Sequence, residues 1–115
     1  MFSRDESISS HGAYLAAEVD VAPLFLVEEF GPPAKGDGIR VSGQYTFRSA
    51  DGAVFTVHDY KMTTLWTTEE GLPAPADFWK LRIGQEFSIG SRGTDTKDFS
   101  HWLLSRYRTW LAKQR

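Results

Sequence analysis

A chain of 115 residues sets the size of one domain around a single core. Apolar residues are 41% and charged residues 24%, which excludes a disordered or fibrous chain, and the absence of cysteine excludes disulfides, thiolate metal sites and a Cys nucleophile. The net charge of −2 lacks the basic footprint of a typical nucleic-acid binder. Aromatics reach 14%, more than a core this small needs, so some are expected at a binding surface.

The chain opens on the polar segment MFSRDESISSHG, which lacks the basic start and apolar centre of a signal peptide. Residues 1–11 read as a mobile tail, and 12–115 as one α+β domain. No apolar run nears the length of a membrane span; the longest covers residues 22–27. A cytoplasmic protein with no membrane partner is expected.

Residues 13–19 suit a strand or an early helical turn, with Ala16 and Ala17 weakening the strand reading. A short N-terminal helix is predicted over 21–30, with Asp20 as cap, Pro23 in the first turn, and Gly31-Pro32-Pro33 as the stop. Ile39, Val41, Tyr45 and Phe47 then alternate with polar residues, the period of a half-buried strand. Ser49-Ala50-Asp51-Gly52 marks a turn, and residues 53–62 resume as a second strand, so 39–62 reads as a β-hairpin. Tyr45, Phe47, Ile39 and Val41 are expected to face the core. We place Phe55 and Val57 with them, which puts His58 and Tyr60 on the opposite face. Residues 63–66 can extend the second strand, 69–75 read as a loop, and Pro75 opens one or two helical turns. A third strand is predicted over 86–89 and a C-terminal helix over 96–113. The expected fold is therefore α+β: a small antiparallel sheet, built from the hairpin and strand 86–89, covered by the C-terminal helix.

The loop before that helix, Gly90-Ser91-Arg92-Gly93-Thr94-Asp95-Thr96, is the main candidate for chemistry. Helix-start N–H groups lack intrahelical partners, and the dipole is positive there. Ser91, Arg92, Gly93, Thr94 and Thr96 are the candidate anion-binding residues, with phosphate or nucleotide as ligand. A capped helix after a tight turn explains the same residues. The loop does not match a P-loop, and no strand follows the helix to complete a βαβ unit.

On the final helix Phe99, Trp102, Leu103, Leu104, Tyr107, Trp110 and Leu111 span an apolar arc of roughly 200°, wider than one sheet face requires. Trp102, Tyr107 and Trp110 are accordingly candidate interface residues for a protein partner or a homodimer. Alternatively the N-terminal helix packs on that edge. Acidic residues concentrate at the start of the chain (Glu18, Asp20, Glu28, Glu29) and basic ones at its end (Arg106, Arg108, Lys113, Arg115). That split suits either an acidic partner or internal pairing and helix-dipole complementarity.

His58-Asp59-Tyr60-Lys61 is dense in ionisable groups. On a strand, however, His58 and Asp59 point to opposite faces and form no dyad. His11, His58 and His101 show no metal-ligand spacing, so no metal and no cofactor are expected. Arg106, Tyr107, Arg108 and Trp110 resemble a stacking surface only in composition, and nucleic acid is not expected as a partner. The leading expectation is a small non-enzymatic binding or regulatory protein acting through a protein–protein surface. Accessory proteins of phages and mobile elements are often of this kind. Binding of phosphate or a nucleotide at residues 90–96 is the alternative.

Overall fold

The computed structural model describes residues 1–67 and 71–114. Part of the 69–75 loop reading, and Arg115, lie outside the described residues. The elements run β1 (Phe2–Arg4), β2 (Tyr14–Val21), α1 (Pro23–Phe30), β3 (Ala34–Lys35), β4 (Gly43–Ser49), β5 (Val54–His58), α2 (Pro75–Phe78), β6 (Gln85–Ser91) and α3 (Lys97–Lys113). The fold is α+β: a six-stranded antiparallel sheet with a C-terminal helix. Its strand order is β1-β4-β5-β6-β2, and β3 pairs beside β1 on β4.

The hairpin forms at its expected turn. Gly52 takes φ +90°, its N–H donates to Ser49 O at 3.1 Å, and Ala53 N–H donates to Ser49 Oγ at 2.9 Å. Its strands are shorter than 39–62 implies. The Asp37 carboxylate accepts the N–H groups of Ile39, Arg40 and Val41 at 2.8–2.9 Å, which curls that stretch into a loop. Ile39 is consequently 56% exposed, not a core residue. Those three bonds also hold the Asp37 carboxyl below its ordinary pKa. At the other end β5 stops at His58. Asp59, fully buried, accepts from Ser42 N–H, Ser42 O–H and Gly43 N–H at 2.7–3.1 Å, and the next turn places Lys61 at φ +58°. Residues 63–66 form a turn, not a strand extension.

The 13–19 stretch resolves as strand from Tyr14, because β2 pairs along its length with β6, with a bulge between Leu15 and Ala17. Asp20 belongs to this strand, so the α1 cap is Ala22, whose side chain has nothing to donate or accept, and Pro23 opens the helix. Residues 1–11, read as a tail, include β1. Phe2 inserts among Phe55, Phe99 and Trp102 at centroid distances of 5.3–5.8 Å, apolar burial that a single Phe in a polar segment did not advertise.

The inner sheet face holds the core: Tyr45, Phe47, Phe55, Val57, Phe87, Ile89, Val19 and Val21. Phe55 and Val57 do point inward with Tyr45 and Phe47, and His58 lies on the other face. Phe99 of α3 stacks flat on Phe55 at 4.7 Å, and Phe25 of α1 meets Trp110 at 5.9 Å. Each large side chain so buried contributes about 1.5–3 kcal/mol.

Candidate functional site

Strand pairing sets the outer sheet face in rows. Gln44, His58, Ser88 and Glu18 are directly opposite one another across β4, β5, β6 and β2, and Thr46, Thr56, Gly90 and Leu15 form the next row. Such neighbours stand about 4.5–5.5 Å apart, close enough for one ligand to touch several strands. The chain between β1 and β2 must pass from one side of the sheet to the other. It is pinned on the way: Asp5 N–H donates to Thr46 O at 2.8 Å, Thr46 N–H to Glu6 Oε2 at 2.8 Å, and Gln44 Nε2 to Ser10 Oγ at 3.3 Å. Thr46 and Thr56 are buried on this face.

Beside this crossing the face opens into a cleft of about 390 Å³. Its walls are Ala13, Leu15 and the Tyr14 backbone on the β2 side and Thr56, His58 and the nearby Tyr60 on the other, with Ser88 and Gly90 at its floor; the Tyr14 side chain, paired in the inward row with Ser91, turns toward Gly93. Gly90 is required there, since a Cβ at this position would lie 2.5 Å from Thr56 Oγ1. The hydroxyls of Tyr14, Thr56, Tyr60 and Ser88 make no hydrogen bond among the described residues.

His58 is half-buried, and its Nδ1 is buried without a partner. Burial pushes its pKa below the ordinary value, and the charges of Asp59 and Asp37 oppose that only in part. A charged ring would carry an N–H at Nδ1 with nothing to receive it, which disfavours protonation in the same direction as burial. No carboxylate among the described residues hydrogen-bonds the ring, and Asp59 is committed to Ser42 and Gly43 on the inner face. An imidazole acting as a general base is usually held by such a carboxylate.

Next to the cleft runs the free side of β2. This strand pairs only with β6, and no other described group bonds its backbone. Tyr14 and Leu15 are 59% and 62% exposed, and Ala16 is exposed as well. Glu18 and Asp20 also point outward. Hydrogen bonding to Glu18, then the charges of Glu18 and Asp20, push the Glu86 carboxyl above its ordinary pKa.

The residues singled out in the 90–96 loop are dispersed in role. Ser91 is buried at the end of β6 and donates from Oγ to Thr94 O at 2.8 Å. Arg92 donates to the carbonyl of Ser9. Gly93 has φ +96°, and Thr94 is exposed. Thr96 is the α3 cap residue but makes no side-chain cap bond; Asp95 accepts the Lys97 N–H at 2.8 Å instead. With Asp98 in the first turn, negative charge already occupies this helix start.

On α3, Trp110 is 6% exposed and its Nε1–H donates to Glu28 at 2.8 Å. Trp102 and Tyr107 are half-buried: Trp102 meets Phe2, Phe30 and Phe47, and Tyr107 meets Phe25 and Trp110. Arg106 pairs with Glu29 at 2.5 Å, so acidic α1 and basic α3 meet within the chain. His11 and His101 do not line the cleft, and no metal-ligand cluster occurs among the described residues. No described helix is long and apolar enough to cross a membrane.

Sequence reasoning did not single out Tyr14, Thr56 and Ser88 as neighbours in a cleft, and placed Gly90 only in the loop before α3. The alternation of β5 and β6 placed Thr56 and Ser88 outward, but only the β2–β6 pairing, distant in sequence, gathers them with Tyr14. No family model matches the chain, and no curated protein shows significant similarity to it.

Proposed function

We propose that this chain is a small non-enzymatic binding and regulatory protein of the cytoplasm that acts through a protein–protein surface, and that it forms a homodimer. In this reading α3 and α1 cover one sheet face, and the β2 side of the sheet is left for recognition. The observation that carries it is the free edge of β2. It offers unpaired backbone groups beside exposed Tyr14, Leu15 and Ala16. Such an edge is a template for another strand.

Charge restricts how two copies can meet. An antiparallel pairing centred on Ala17 sets Ala16 opposite Glu18 of the second copy and Tyr14 opposite its Asp20. No carboxylate then faces another directly. Trp102 and Tyr107 supply a second, less exposed surface on α3. Exposed Arg92 favours phosphate or nucleotide at residues 90–96 as the alternative, while Asp95 and Asp98 oppose it.

Sedimentation velocity over a wide concentration range tests the dimer. The wild type should dimerise, Ala16→Glu should dissociate it by placing carboxylates opposite Glu18, and Ala16→Lys should tighten it. A wild type that stays monomeric, or a dimer indifferent to both charges, contradicts the proposal.

A further inference from the structure

We propose that the cleft floored by Ser88 and Gly90 is a binding site for an uncharged heteroaromatic ring of nucleobase size. Its volume of about 390 Å³ suits a small molecule. No Asp, Glu, Lys or Arg lines it. An ion entering it would lose hydration without gaining a counter-charge, which disfavours charged ligands. Glu18, opposite Ser88, and Asp20, opposite Glu86, make the neighbouring surface acidic, which sets phosphates at a further disadvantage.

What the cleft does offer is neutral and suited to a ring. Tyr60 presents a ring at one side, with Lys61 Nζ 5.1 Å from its centroid, and Leu15 presents apolar surface on β2, while Tyr14 borders the cleft through its backbone. The Thr56 and Ser88 hydroxyls are uncommitted, and hydroxyls both donate and accept, as the mixed edge of a heterocycle requires. Glycine at position 90 keeps the floor open where any side chain would collide with Thr56. The neutral imidazole of His58 completes the wall without adding charge. The cleft shares Leu15 with the proposed dimer edge, so binding is measured on Ala16→Glu as well as on the wild type, and a cleft that binds in the dissociated variant separates the two readings.

Amide-detected NMR titrations with adenine, uracil, the corresponding nucleosides, adenosine monophosphate, a short single-stranded oligonucleotide and glucose test the assignment. A free base or nucleoside should give saturable shifts confined to Tyr14, Thr56, His58, Ser88 and Gly90. The monophosphate should bind at least ~10-fold more weakly through charge repulsion, the oligonucleotide no better, and glucose should not shift these signals. Ser88→Leu, at a half-buried position, should fill the floor and reduce base binding at least ~10-fold while the remaining spectrum stays folded. If Ser88→Leu unfolds the chain, Thr56→Val, which removes the hydroxyl at constant shape, should weaken binding a few-fold. Equal or tighter binding of the monophosphate or the oligonucleotide, shifts with glucose alone, or no cleft shift with any base would overturn the proposal.

Discussion

The two faces of the sheet are built from the same strands on opposite principles. On the inner face, side chains are committed: Phe55, Phe47 and Phe99 interlock, Tyr45 donates to Gly31 O at 2.7 Å, and the Asp59 carboxylate is saturated by three donors. On the outer face, the hydroxyls of Thr56, Tyr60 and Ser88 and an imidazole nitrogen have no partner among the described residues. Stability needs satisfied groups, whereas recognition needs unsatisfied ones held in place. The contrast teaches where substitutions should cost folding and where they should cost only binding.

The largest effect is expected inside. Phe99→Ala removes the ring stacked on Phe55 and should destabilise the chain by about 3–5 kcal/mol in denaturant unfolding. Ser88→Ala, on the outer face, should stay within about 0.5 kcal/mol. Comparable losses for the two would erase the distinction between the faces.

An intermediate effect belongs to the floor of the cleft. Gly90→Ala forces a Cβ to 2.5 Å from Thr56 Oγ1 and should cost about 1–3 kcal/mol. Adding Thr56→Ala should recover most of that loss, because the collision is with this one hydroxyl. Thermal unfolding of the single and double variants reads the coupling directly. Additive losses would mean that the two residues do not press on each other.

The smallest effect sharpens the state of His58. Its folded pKa lies below the ordinary 6.5, so the unfolded chain binds more protons as the pH falls through that value. The stability gained from the neutral folded imidazole is complete above 6.5 and lost as the pH falls toward the depressed folded value. Each tenfold reduction in proton affinity corresponds to about 1.4 kcal/mol. Protonation of Glu86 acts with the opposite sign near its raised pKa, and the depressed carboxyls of Asp5, Asp37 and Asp51 act below 3.8. The wild type should therefore lose stability between pH 6.5 and 5, and His58→Gln should remove most of that slope. An unchanged slope in the variant would assign it to other groups.

Local signals were legible in the sequence where short-range chemistry decides the outcome. The turn at Gly52, the inward pair Phe55 and Val57, Pro23 at the start of α1 and the long amphipathic α3 all follow from adjacent residues. What escaped depends on distant pairing. The alternation of Ile39 and Val41 is overridden by the Asp37 carboxylate, and Phe2 finds its place only once β4 and α3 exist. The apolar arc of α3 looked too wide for one sheet face because Phe2, Phe25 and Phe30, which meet its rings, come from the other end of the chain. The cleft is a product of the same long-range order, since β2 and β5 meet across β6.

The free edge of β2 is the central functional claim, and amide hydrogen exchange at rising protein concentration tests it most directly. Amides of Tyr14–Val21 that do not bond to β6 should be unprotected in dilute solution and gain protection as the dimer forms. Those in Gln85–Ser91 should be protected throughout. Exchange from β2 that stays fast at every concentration, or protection that arises on α3 instead, would contradict the account.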